Sequence, residues 1–258
     1  APTMIGVLSA LITAPNQNLT VDSLEVGAKA TALDLTFGIE AGGFRINDAQ
    51  LTAGGGVISV EPLLVPLDAT QPYGGVIVLD RVQLGDLVKD MGFDDKVLLD
   101  AVVSGRLPFT MNPATGLRIV AGSLAAVQPG RLSIQREVLT DVNAGGGAAE
   151  APPGVVEDLA FQAMENLSFD QLSADVNSLD GGRIAVLFHI RGRHAPPQRQ
   201  ELRLTLAELI SRQFLNRSLP LPSGTQIDLT MDTTLNANQL ISDLMAANRA
   251  RQRQQADQ

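Results

Sequence analysis

A mainly β fold, laid out as an antiparallel, strongly twisted sheet with a few short helices, is what this sequence predicts, on three observations. Stretches alternate apolar and polar residues, as in "ATALDLTFGIE", where Leu33, Leu35, Phe37 and Ile39 fall on one face against Asp34, Thr36 and Glu40. The connections "AGGG", "NPATG", "QPGR" and "LDGG" are short and carry the Gly, Pro and Asn that suit tight turns between neighbouring strands. The apolar mass is aliphatic: hydrophobic residues are 45% of 258 but aromatics only 3%, with no Trp and one Tyr.

In chain order, Gly42 and Gly43 read as a turn into "GGFRINDAQL". Further strands are expected at Val57–Val60, Val76–Leu79, Val97–Met111, Leu117–Ala126, Leu132–Gln135, Phe169–Val176, Ile184–Arg191, Leu202–Leu206 and Ile227–Leu235, each an apolar or alternating run bounded by turn residues. A 3.6-residue period predicts helices at Leu84–Met91, Val155–Leu167, Ala207–Leu215 and from Asn236 onward. In the last, Leu240, Ile241, Leu244 and Met245 form one stripe and Asn236 or Asn238 caps the start. Between residues 143 and 154, "NAGGGAAEAPPG" has no large apolar side chain and cannot contribute to a core. It reads as a loop within one continuous sheet, joining a part at residues 1–142 to a part at 155–258 that carries the C-terminal helix.

"GGRIAVLFHIRGRHAPP" holds both histidines and reads as a strand apolar on both faces, with Ile184, Val186, Phe188 and Ile190 on one and Ala185, Leu187 and His189 on the other. Two apolar faces predict cover on both sides. His189 sits inside the strand with no nucleophile motif beside it and is assigned a structural role. His194, in a Pro-bounded turn, is expected to be exposed.

Composition excludes several functions. With 28 acidic against 19 basic residues the net charge is -9, which together with the scarcity of rings argues against nucleic acid. Cysteine is absent, so there is no disulfide and no thiolate chemistry. No apolar run approaches the roughly 18 residues of a membrane span. The start has no basic segment of a signal peptide, and the chain reads as a fragment whose anchor lies upstream. There is no "GxSxG", "HExxH" or phosphate-cradling glycine loop. The acidic cluster Asp90, Asp94 and Asp95 lacks the ligand spacing of a calcium loop and reads as a solvated turn. Arg191, Arg193, Arg199 and Arg203 gather around one hairpin and read as a solubilising strand rim, although a guanidinium fork also suits phosphate oxygens. No enzyme activity, metal or cofactor is expected.

The phrases "GGGVISVEPLLVPLDA", "GVIVLDRVQLGDLV", "VSGRLPFTMNPATGLRIVAGSLAAVQPGRLSI" and "LSFDQLSADVNSLDGGRIAVLFHIRGRHAPP" together resemble the C-terminal domain of the YdbH-like proteins, which belong with the AsmA and TamB-like proteins of the Gram-negative envelope. The likeness runs from about Leu24 to Met245 in order. It departs at "GRHAPP", where the family more often has Gly, a variable residue, then Asn-Pro, so the family's geometry is not carried over to this turn. The resemblance implies a U-shaped, taco-like β-sheet forming an apolar groove. It further implies a periplasmic bridge for phospholipids between inner and outer membranes, anchored upstream in the inner membrane, with a small outer-membrane lipoprotein as partner.

The family has no catalytic motif to transfer, so the working surface comes from strand alternation. Leu33, Leu35, Phe37, Ile39, Ile184, Val186, Phe188, Ile190, Ile227, Leu229 and Met231 are expected to line one concave, lipid-facing wall. The last strand, "TQIDLTMDTTL", has no Pro or Lys to blunt it. Its Thr225, Ile227, Leu229, Met231 and Thr233 are expected to form the edge where the lipoprotein adds a strand. The alternative is a structural or interaction β-domain with a closed core and no lipid.

Overall fold

The computed structural model describes residues 17–26, 28–40, 42–90, 96–135, 155–201 and 220–236. Within them the chain is mainly β. One antiparallel sheet of 14 strands takes up nearly every alternating stretch. In order these are β1 (Gln17–Val26), β2 (Ala28–Glu40), β3 (Gly43–Ala53), β4 (Gly56–Val60), β5 (Leu63–Pro66), β6 (Tyr73–Gln83), β7 (Val97–Asp100), β8 (Val102–Asn112), β9 (Gly116–Ile119), β10 (Gly122–Ala126), β11 (Gly130–Ile134), β12 (Leu167–Ser178), β13 (Arg183–His194) and β14 (Gln226–Asn236). Two of them, β1 and β5, lie outside the strands expected from alternation.

The topology is a meander. β4 and β5 follow each other along β3, and β10 and β11 follow each other along β12. β8 pairs with β6 on one side and with β9 and β10 on the other, while β7 continues its line against β11. β12, β13 and β14 then close the series. Through the β10–β12 and β11–β12 ladders the sheet runs without a break between the two parts of the chain.

The interruptions have local causes. Pro62, which has no N–H to give, separates β4 from β5. The run expected as one strand over Val97–Met111 divides at Ala101, because the amide of Ala101 donates to Gln83 Oε1 at 3.0 Å and its carbonyl accepts from Leu84 N at 2.9 Å. The run expected over Leu117–Ala126 divides at Val120 and Ala121. Arg81 takes φ of 53° at the β6 irregularity between Leu79 and Val82, which leaves both side chains in the same buried cluster although they are three positions apart.

Helices are short. α1 (Leu84–Asp90) and α2 (Val155–Glu165) both lie at the rim where β6 ends and β12 begins, and a 3-10 turn spans Asp180–Gly182. Leu84 and Leu87 of α1 pack on the main buried cluster, and Asp90 Oδ2 accepts from the Lys29 amide at 3.1 Å. Phe161 and Met164 of α2 pack on Ile134, Leu229 and Met231. The core is therefore deepest at this helix rim, where Val82, Val103, Leu167, Phe169 and Ile190 are fully buried. Each such side chain contributes about 1.5–3 kcal/mol of transfer free energy. The segment at 143–154, the strand at Leu202–Leu206, the helix at Ala207–Leu215 and the C-terminal helix lie outside the described residues.

Candidate functional site

Register places one apolar face across the whole sheet. One row of direct cross-strand partners runs Leu51, Ile58, Leu79, Gly105, Leu124, Ala174, Phe188, Met231, from β3 to β14, without a polar side chain. A parallel row runs Leu19, Leu35, Ala49, Val60, Ile77, Leu107. Partners in antiparallel strands share a face, so these rows lie on one surface, and clusters of contacting side chains join them. Glycine has a purpose here: a Cβ at Gly105 would run into the backbone of β10 at the Ser123 carbonyl oxygen and Leu124 Cα, so its absence lets the two strands pair closely at this point of the wall.

Every wall residue nominated from alternation falls on this surface. Leu33 pairs with Val21, Phe37 with Ile46 and Ile39 with Phe44. Phe188 and Ile190 stand opposite Met231 and Leu229, while Ile184 and Val186 stand opposite Leu235 and Thr233 and Ile227 opposite Gly192, all on the same side of the sheet. They are not equally accessible. Val186 and Ile190 are buried at 7% and 1% exposure, whereas the other nominated wall residues are half-buried. Leu229 and Met231 lie under α2. Alternation reasoning passed over Leu51, Ile58, Leu79, Leu107 and Leu124, although the same period-2 signal marks them.

The opposite face is polar. Leu187 stands between Asp175 and Asp232, His189 between Ser173 and Thr230, and Arg191 between Gln171 and Asp228. The expectation that β13 is covered on both faces is thus overturned: His189 is exposed, its Nδ1 3.3 Å from Thr230 Oγ1 and its Nε2 3.8 Å from Asp175 Oδ2. Arg191 donates to Asp228 at 3.0 Å, and Arg106 Nη2 lies 2.6 Å from Glu61. Ala185 and Leu187 are simply the apolar minority of a solvated face, which costs little when such residues are scattered.

His194 also departs from expectation. It ends β13 opposite Leu167, on the apolar side at the helix rim, and is 2% exposed, with Nε2 3.4 Å from Gln200 Oε1. The turn after it folds back, with Gly224 donating to the His194 carbonyl and His194 to Thr225 O, so the imidazole ends up inside. Local sequence carried no sign of this, because the residues that tie this strand end, Gly224 and Thr225, are distant in the chain. Asp94 and Asp95 lie outside the described residues, and among the described residues no cluster suits a metal ion.

Among the described residues β14 pairs with β13 alone. Thr225 accepts from His194 N, so by the alternation of antiparallel ladders Ile227, Leu229, Met231 and Thr233 also turn their N–H and C=O toward β13. The groups that point away from the sheet belong to Gln226, Asp228, Thr230, Asp232 and Thr234. No helix among the described residues is long and apolar enough to cross a membrane.

Compared with protein-family models, residues 6–207 match the YdbH-like family, described as intermembrane phospholipid transport protein YdbH. No curated protein and no solved structure matches the chain.

Proposed function

The chain belongs to the YdbH-like family, and on that premise we propose that its apolar sheet face is a lipid-conducting wall, part of a non-enzymatic periplasmic bridge that carries phospholipid between inner and outer membranes. The observation that carries this reading is the uninterrupted apolar row from Leu51 to Met231, backed by a polar opposite face. Apolar side chains left half-exposed cost free energy in water, and acyl chains laid on them recover roughly 25 cal/mol per Å2. An aliphatic wall with few polar anchors shields a chain without fixing it at one position, which is what passage along a bridge requires.

A photo-crosslinking residue at Phe37 or Phe188 in protein taken from the cell envelope should capture phospholipid, and one at Asp34 or Thr36 should not. Equal capture at both sets overturns the assignment. The closed cluster around Phe169 and Val82 favours a second reading, a structural β-domain without lipid, and absence of adducts at every wall position selects it.

For the partner, the reading is strand addition by a small outer-membrane lipoprotein along β14. The outward N–H and C=O groups supply the ladder, and the wall side chains Ile227, Leu229 and Met231 would continue onto the added strand.

A further inference from the structure

On the rim opposite the helices, side chains take over from the backbone ladder between described strands. The β10–β12 ladder ends at Gly122 and Val176. Beyond it the amides of Ile119 and Ala121 are satisfied by side chains, donating to Ser178 Oγ and Asn177 Oδ1, each at 2.8 Å. Ala121 holds φ of 54° there, and among the described residues no backbone ladder joins β9 to β12. Between the β8–β9 hairpin and the β12–β13 turn this leaves a cleft of about 620 Å3, a size suited to a small ligand.

Its lining is two-sided. Ile119 and Ile184 belong to the apolar wall, and Leu117 and Leu179, 49% and 36% exposed, also line it. Arg118, between Leu117 and Ile119, projects to the other side by strand alternation. Its Nη1 donates to Asp180 Oδ1 at 3.0 Å and its Nη2 to Ser178 O at 3.4 Å. The Asp180 side chain is 94% exposed, so this ion pair is screened and easily exchanged, whereas a phosphodiester offers the guanidinium fork two oxygens.

We propose that this cleft is a lateral portal of the wall, where a phospholipid's phosphodiester takes Arg118 in place of Asp180 while its acyl chains pass Leu117 and Leu179 to reach Ile119 and Ile184. The portal rests on the reading of the wall as lipid-conducting and names where a lipid enters or leaves it. At the helix rim the corresponding stretch of wall is occupied by Leu84, Leu87, Phe161 and Met164, so a lipid has no such passage there among the described residues.

The chain has no Trp, so Leu179→Trp and Leu98→Trp each introduce a single fluorescent probe, one at the cleft and one on β7, where Leu98 is 60% exposed on the face away from the wall. Mixed with phosphatidylglycerol vesicles whose acyl chains carry bromine, Leu179→Trp should be quenched about tenfold more strongly than Leu98→Trp, the ratio expected when roughly 1.4 kcal/mol separates the two sites. Adding Arg118→Glu should abolish the difference, and Arg118→Lys, which keeps the charge, should retain most of it. Equal quenching at the two probes, no quenching at Leu179→Trp, or quenching that survives Arg118→Glu overturns the portal. Inorganic phosphate separates the sources: brominated acyl chains quench only when a lipid is bound, so a change in Leu179→Trp emission with phosphate alone that the vesicles do not reproduce makes this a free-anion site and also overturns it. Lipid capture at Phe188 without quenching at Leu179→Trp removes the portal and leaves the wall, and capture at neither removes both.

Discussion

Phe188 and Met231 stand directly opposite each other across β13 and β14, on the apolar face and half-buried. Phe169, on the same face nearer the helices, is fully buried. The two phenylalanines differ in what covers them, and that difference separates the effects of removing them.

Phe188→Asp places a carboxylate on the open wall, where water still reaches it, so the fold should survive with an unchanged circular dichroism spectrum. Lipid recovered by crosslinking at neighbouring wall positions should fall about tenfold or more, since a charge in the path of an acyl chain must be desolvated. Undiminished lipid recovery in a folded variant means that acyl chains do not pass Phe188.

Phe169→Ala removes a ring packed among Val82, Val103 and Leu167 and should cost about 3–5 kcal/mol, read as a lowered denaturant midpoint. Gly130→Ala should also destabilise, because its Cβ would lie 2.0 Å from Asp100 O and 2.5 Å from Phe169 Cζ, contacts that only a backbone shift relieves. A midpoint equal to that of the parent chain in either variant contradicts the packing described.

Thr230→Pro deletes an N–H that points away from β13, so the β13–β14 ladder should persist while an added strand loses a donor. Co-purification with a lipoprotein partner should be lost and the thermal midpoint retained. Met231→Pro is the counter-test: its N–H points toward β13, so proline there removes a ladder hydrogen bond and should lower the thermal midpoint. If the two variants behave alike, the free edge is not where the ladder places it.

At the β2–β3 hairpin Arg45 hydrogen-bonds Glu40 and holds its carboxyl below the ordinary 4.5. A carboxylate with a depressed folded pKa stabilises above its unfolded pKa and loses that contribution as pH falls through the folded value. Both side chains are exposed, so the global effect is small. The sharper readout is the Glu40 carbon resonance, whose titration midpoint should rise toward the ordinary value in Arg45→Ala.

Fold class, strand polarity and the shared apolar face of the residues nominated on β2, β13 and β14 are legible in the sequence because side-chain direction in a strand is a local property of period two. "ATALDLTFGIE" states its own faces whatever its neighbours are. Tertiary structure decided what no local period encodes. Ala101 interrupts a run that reads as one strand because Gln83 and Leu84, across the sheet, claim its backbone groups. His194 is buried at a strand end whose backbone is tied to Gly224 and Thr225, some thirty positions later in the chain. The second face of β13 is solvated because the strands beside it place Asp175, Asp228, Thr230 and Asp232 there. And along a wall of apolar character, Phe169 sits inside the buried cluster that Leu84 and Leu87 of α1 pack against, whereas Phe188 stays only partly buried at its margin. Burial depends on the positions of residues remote in sequence, and alternation speaks only for each strand by itself.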